Sequence, residues 1–254
     1  MRFRYLKTNR LYCFSPAVML VTILIELGLA VYVVIRFKMN SVLRLGTGIL
    51  VSLAVFQIAE YNVCEGAWGI SSLDWARVGY AAITLLPPLG LHMALEIRGQ
   101  KKPRLIAAAY GTAAIFAGVF LFSSQGMGAQ QCLGNYVIFE IARWSVWPYT
   151  FYYYGWLLAG TVATLGYANK LTDAHKRTAL RALGIGYLSF ILPTTAAVIA
   201  DPSVISGIPS IMCGFAVILA LIIGFFVMPH YDASQEAVGI KKPTTNSGKG
   251  KARG

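Results

Sequence analysis

The side chains able to do chemistry in this chain are few, and apolar residues surround them. Glu26 lies in the run Ile25-Glu26-Leu27-Gly28-Leu29, with Thr22 one helical turn before it. Gln57, Glu60 and Cys64 follow at i, i+3 and i+7, a spacing that sets all three on one stripe of a helix. Arg77, His92 and Glu96 belong to the next apolar stretch. A carboxylate in hydrocarbon costs about 3 kcal/mol or more, so its presence there points to a site. Glu26 and Glu60 are therefore expected to border a hydrated or ligand-filled hollow. The structural alternatives are an ion pair of Glu60 with Arg77, a protonated or interhelically bonded Glu26, and interfacial roles for His92 and Glu96.

The composition explains why these groups stand out. Of 254 residues, 57% are hydrophobic and 13% charged, and the mean hydropathy is +0.61. That is the balance of a chain dissolved in lipid. Apolar runs bounded by charge, Gly or Pro predict seven spans, near 13–35, 45–63, 78–96, 105–122, 147–168, 181–200 and 205–228. The expected fold is all-α, a polytopic seven-transmembrane-helix bundle over residues 13–228. A basic arm at 1–12 precedes it, and a disordered basic tail at 229–254 follows. A kinase, a nucleotide-binding module or a soluble catalytic domain has no room. The first apolar run is longer than a signal-peptide core and is expected to stay as a helix.

Lys and Arg set the orientation. They gather in the first, third and fifth connections and in the tail, whereas the even connections hold only Arg77 and Arg143. The C-terminus is thus expected in the cytoplasm and the N-terminus outside, against the pull of Arg2, Arg4, Lys7 and Arg10. Trp68, Trp75, Trp144 and Trp147 fall at the outer boundary, as an aromatic belt would. The net charge of +12 follows from these loops and the tail, with no call for nucleic acid. Anionic lipid is the expected counterpart of the tail.

In this topology Cys64 and Cys132 face the oxidising side, where they are candidates for a disulfide, two free thiols being the alternative. Cys13 and Cys213 read as small packing residues. Neither the cysteines nor His92, His175 and His230 offer a tetrahedral zinc set, so no metal and no cofactor is expected. Pro87 and Pro88 should kink or break the third span and free carbonyls there, structurally or to line a site. The last span has no lysine for a retinal Schiff base, histidines are too sparse for an intramembrane zinc amidase, and no Pro-Gln transporter signature is present. No catalytic nucleophile and base are evident.

Cys13-Phe14-Ser15, Phe56-Gln57-x-x-Glu60 and the late run Ser210-Ile211-Met212-Cys213 resemble the motifs of an uncharacterised family of bacterial integral membrane proteins. Members of that family begin Met-Cys-Phe-Ser, carry Gln-x-x-Glu-Gly in the second helix and have Ser-x-Trp-Cys-Phe late in the chain. Here Tyr61 stands after Glu60, and Met212 occupies the tryptophan position. The resemblance implies a bacterial inner-membrane location and no assigned activity. It marks Cys13, Ser15, Gln57, Glu60 and Cys213, which with Glu26 form a candidate outer-facing polar pocket between helices one, two and seven. The segment Asp74 to Leu95 also resembles the seven-helix sensory regions that precede bacterial histidine kinases.

The leading expectation is therefore a non-enzymatic sensor or binder of a small molecule or lipid, signalling to a cytoplasmic partner. A proton- or cation-coupled transporter using Glu26 is the alternative. A membrane-embedded thiol or lipid-modifying enzyme using Cys13 or Cys213 ranks below both.

Overall fold

The computed structural model describes residues 16–123, 125–132, 137–201 and 207–240. The first half is helical: α1 (Pro16–Arg36), α2 (Ser41–Glu65), α3 (Ser72–Thr84), α4 (Leu86–Arg98) and α5 (Pro103–Phe122). An antiparallel hairpin follows, β1 (Met127–Cys132) paired with β2 (Val137–Ile141). Then come α6 (Arg143–Ala168), α7 (Ala174–Ala200) and α8 (Ile208–Ile222), the last running through a π-helical turn, Ile223–Val227, into α9 (Met228–Ile240). The fold is all-α apart from the hairpin, which occupies what reads in the sequence as a plain connection.

Local chemistry sets the helix ends. Asn40 caps α2 by accepting the Leu43 N–H at 3.1 Å, and Gly66, at φ 66°, closes it in the left-handed conformation that glycine adopts without strain. Ser71 caps α3 through the Asp74 N–H, and Gly99 ends α4 at φ 77°. Pro103 starts α5, where its missing N–H leaves no helical bond unmade. Asp173 caps α7, accepting from the amides of His175 and Lys176 at 2.9 and 3.2 Å.

Among the described residues, six helical segments are long and apolar enough to cross a membrane: Pro16–Arg36, Ser41–Glu65, Ser72–Arg98, Pro103–Phe122, Ala174–Ala200 and Ile208–Ala237. The α3–α4 and α8–α9 pairs each act as one rod. Outward-facing side chains agree with a lipid surround: Leu24 and Ile35 on α1, and Ile115 and Phe122 on α5, are each more than 60% exposed. With 26 residues α6 matches these rods in length, but its tyrosines, threonines and tryptophans make it less apolar.

At the centre lies α2, packed against α1, α3, α4 and α8, with Leu43, Leu50, Leu53 and Phe56 fully buried. An aromatic cluster fills the end nearer the hairpin. Tyr80 meets Phe120, Phe139 and Tyr149 at centroid distances of 5.0 to 5.8 Å, and Phe139 of β2 also meets Phe56 at 5.6 Å. These aromatic pairs add to the area that they bury.

The double proline divides α3 from α4 at Leu85 without opening the rod. Pro88 has no N–H for the Thr84 carbonyl four residues earlier. The Tyr152 hydroxyl of α6 donates to that carbonyl instead, at 2.5 Å. Of the two readings of the prolines, this carbonyl thus serves packing.

The expected tail boundary at 228 requires correction. The chain stays helical through Ile240, because Ser234 of α9 docks on the α6–α7 corner, donating to Asp173 Oδ2 at 2.7 Å. Residues 241–254, and the whole expected basic arm at 1–12, lie outside the described residues.

Candidate functional site

Two carboxyls are built into the helix interface at the heart of the fold. Glu26, midway along α1, and Glu60, near the C-terminal end of α2, are both completely buried, and Gln57 is 1% exposed one turn from Glu60. The two acids lie close enough for the charge of Glu60 to act on Glu26. Among the described residues, neither carboxyl oxygen of Glu26 or Glu60 has a hydrogen-bond partner, and Gln57 Nε2 has none either.

One hydroxyl stands beside this pair. Ser210, in the first turn of α8, is fully buried next to Glu60, although no short hydrogen bond joins them. Its Oγ accepts the Val137 N–H at 3.0 Å, which leaves the hydroxyl proton free to turn toward the carboxyl. The hairpin thereby reaches the carboxyl site. Its other anchor is a disulfide from Cys132 to Cys64, one turn beyond Glu60 on the same stripe of α2.

The alternative of an ion pair between Glu60 and Arg77 is not what the structure forms. Arg77 bonds Asp74 at 3.1 Å, three residues earlier in α3, while the Glu60 carboxyl is turned into the α2 interface. Local helical spacing wins because Asp74 is already held at the start of α3 by the Ser71 cap. Thr22 is also turned aside, its hydroxyl donating to the Met19 carbonyl at 2.8 Å. His92 lies 3.6 Å from Glu96 and 3.3 Å from the Tyr110 hydroxyl, away from the carboxyl pair.

Of the candidate pocket residues, the structure brings together Glu26, Gln57 and Glu60. Cys13 and Ser15 lie outside the described residues, as does the side chain of Cys213, whose backbone belongs to α8. Ser210 is the residue that reasoning from charge alone misses. Its signal was positional, since it opens the late motif that also contains Cys213.

A hollow of about 20 Å³ lies further along the same stripe of α2, between Ile49, Leu53, Leu86, Tyr153, Tyr187 and Met212 among others. That is room for about one water. The Tyr187 hydroxyl, buried here, has no partner among the described residues.

Chemically, the pair offers hard oxygen atoms in a low-dielectric setting. Two buried carboxylates within electrostatic reach of each other disfavour being charged together, so a proton or a small cation is the natural third party. No group of three or more His, Cys, Asp or Glu able to hold a metal ion occurs among the described residues. No protein-family model, curated protein or solved structure matches the chain.

Proposed function

We propose that this chain is a seven-helix bacterial inner-membrane protein whose function runs through uptake of a proton or small cation by the Glu26–Glu60 pair. In this reading α6 is the seventh span: 26 residues at 1.5 Å each give about 39 Å, against a hydrocarbon core of about 30 Å. The N-terminus lies outside and the C-terminus in the cytoplasm. The Lys and Arg distribution supports that orientation. So does the Cys64–Cys132 bond, which belongs on an oxidising face.

The observation that carries the functional reading is the burial of two carboxyls, Glu26 within electrostatic reach of Glu60, that form no ion pair or hydrogen bond among the described residues. Glu60 sits five residues from the end of α2, about 7.5 Å along its axis, whereas Glu26 is halfway along α1. The pair thus forms a step from the outer boundary toward the midplane, as a proton-coupled transporter or a proton-sensing bundle requires. The one-water hollow supports a ligand pocket less well than it supports this reading.

Infrared difference spectra of the purified protein between acidic and alkaline pH test the site. The carbonyl stretch of a protonated buried carboxyl is expected to change in the wild type, and to be reduced in Glu26→Gln and in Glu60→Gln. Spectra identical in all three proteins would refute the proposal. Proton flux into proteoliposomes then separates the two modes: a transporter loses flux in Glu26→Gln, whereas a sensor shows the spectral change without flux.

A further inference from the structure

We propose that the corner where α4 turns into α5 binds the phosphate group of an anionic phospholipid. Arg98, Lys101, Lys102 and Arg104 fall within seven residues there, at the facing ends of two segments apolar enough to cross a membrane. Among the described residues none of the four forms an ion pair. The nearest acid along the chain, Glu96, is turned to His92.

Two of these cations are pre-positioned. The Arg98 guanidinium lies over the Tyr167 ring of α6, 4.3 Å from its centroid, and Lys102 donates to the Tyr167 hydroxyl at 3.2 Å. Stacking on the ring leaves the guanidinium edge free, and an ammonium group that makes one hydrogen bond keeps two more N–H donors. Arg98 Nη1 has no hydrogen-bond partner among the described residues. A cation held with spare donors and no acid is built for an anion brought from outside.

The shape fits a lipid better than a free ion. Lys102, Pro103, Arg104 and Leu105 line a shallow, open hollow whose exposed lining is mostly apolar, with the cationic side chains of Lys102 and Arg104 belonging to the same four residues. Beyond it α5 presents Ala107, Ala108 and Gly111 to its surroundings, a low surface along which an acyl chain can lie. Basic pockets between membrane helices at the cytoplasmic boundary take phospholipid headgroups through this combination of charge and apolar contact. The site is separate from the carboxyl pair, so either reading can fail alone.

The test titrates the full-length protein in detergent with short-chain phosphatidylglycerol, short-chain phosphatidylcholine and inorganic phosphate. Binding is read from the thermal unfolding midpoint and from lipid retained in native mass spectrometry. Phosphatidylglycerol is expected to bind saturably and phosphatidylcholine not to. The Lys101→Gln/Arg104→Gln double variant, changed only at exposed side chains, is expected to bind phosphatidylglycerol at least tenfold more weakly with an unchanged lipid-free midpoint. Should that variant unfold, Lys102→Gln alone must show the same weakening. Equal binding of the two lipids, undiminished binding by the folded variant, or inorganic phosphate filling the site as well as the lipid would each overturn the assignment.

Discussion

The Tyr152 hydroxyl donates to the Thr84 main-chain carbonyl, the acceptor that Pro88 leaves without a helical donor. A tyrosine on α6 thus completes the hydrogen bonding of the α3–α4 rod, and the bond is buried at both ends.

Tyr152→Phe leaves that carbonyl unpaired in an apolar interior. The expected cost is about 1–3 kcal/mol, read as a lower thermal midpoint in detergent. Tyr154→Phe, which removes only a contact to Met212 Sδ at 3.7 Å, should cost less. Equal effects would show that the Thr84 carbonyl finds another donor.

The disulfide gives a redox-dependent stability. Cys64 and Cys132 are 68 residues apart, and a bridge over such a loop contributes roughly 2–4 kcal/mol. A dithiol reductant should lower the unfolding midpoint of the wild type. It should leave the Cys64→Ser/Cys132→Ser variant, already at the lower value, where it was.

Asp173 supplies a pH dependence whose sign follows from its surroundings. Burial works against the charged form, but the Ser234 hydroxyl, the Lys176 and His175 amides and the Lys176 charge outweigh it, holding the carboxyl below the usual carboxylate range. A group whose folded value is depressed stabilises the protein above its unfolded value of about 3.9, and that contribution is lost as the pH falls through the folded value. The stability difference between wild type and Asp173→Asn should be constant near neutrality and shrink below about pH 4. Ser234→Ala should lower the wild-type midpoint at pH 7 and have no effect in the Asp173→Asn background.

Gly90 and Tyr187 form a close α4–α7 contact. A Cβ at position 90 would fall on the Tyr187 hydroxyl. Gly90→Ala is expected to destabilise by about 1–3 kcal/mol through overpacking. Adding Tyr187→Phe should recover part of this, because the ring carbon beneath the hydroxyl remains close. Additivity in the double-mutant cycle would show that α4 moves instead.

What the sequence disclosed depended on how local the cause was. Apolar runs marked the positions of the membrane-competent helices, because such a run acts within one segment; the ends set by Asn40, Gly66, Gly99 and Pro103 came from the structure. The carboxyls stood out by the cost of burying them. Their surroundings did not: Arg77 lies 17 residues from Glu60 and three from Asp74, and it pairs with the acid on its own helix, which the Ser71 cap holds in place. Ser210 meets Glu60 across 150 residues, and Tyr152 meets Thr84 across 68. Periodicity carries no record of such pairings. The continuation of α9 past residue 228 was hidden for the same reason, since Asp173 sits 61 residues before the serine that docks on it.

The π-helical turn at Ile223–Val227, where the Met228 N–H reaches back to the Ile223 carbonyl, carries one residue more than an ordinary turn. One residue is about 100° of rotation, so everything after it is swung round the axis by more than a quarter circle. The docking of Ser234 at the corner thus depends on a miscount upstream. Deleting a single residue from that turn would leave the hydropathy profile almost untouched while pointing the serine elsewhere, detaching the far end of the last rod from the rest of the molecule.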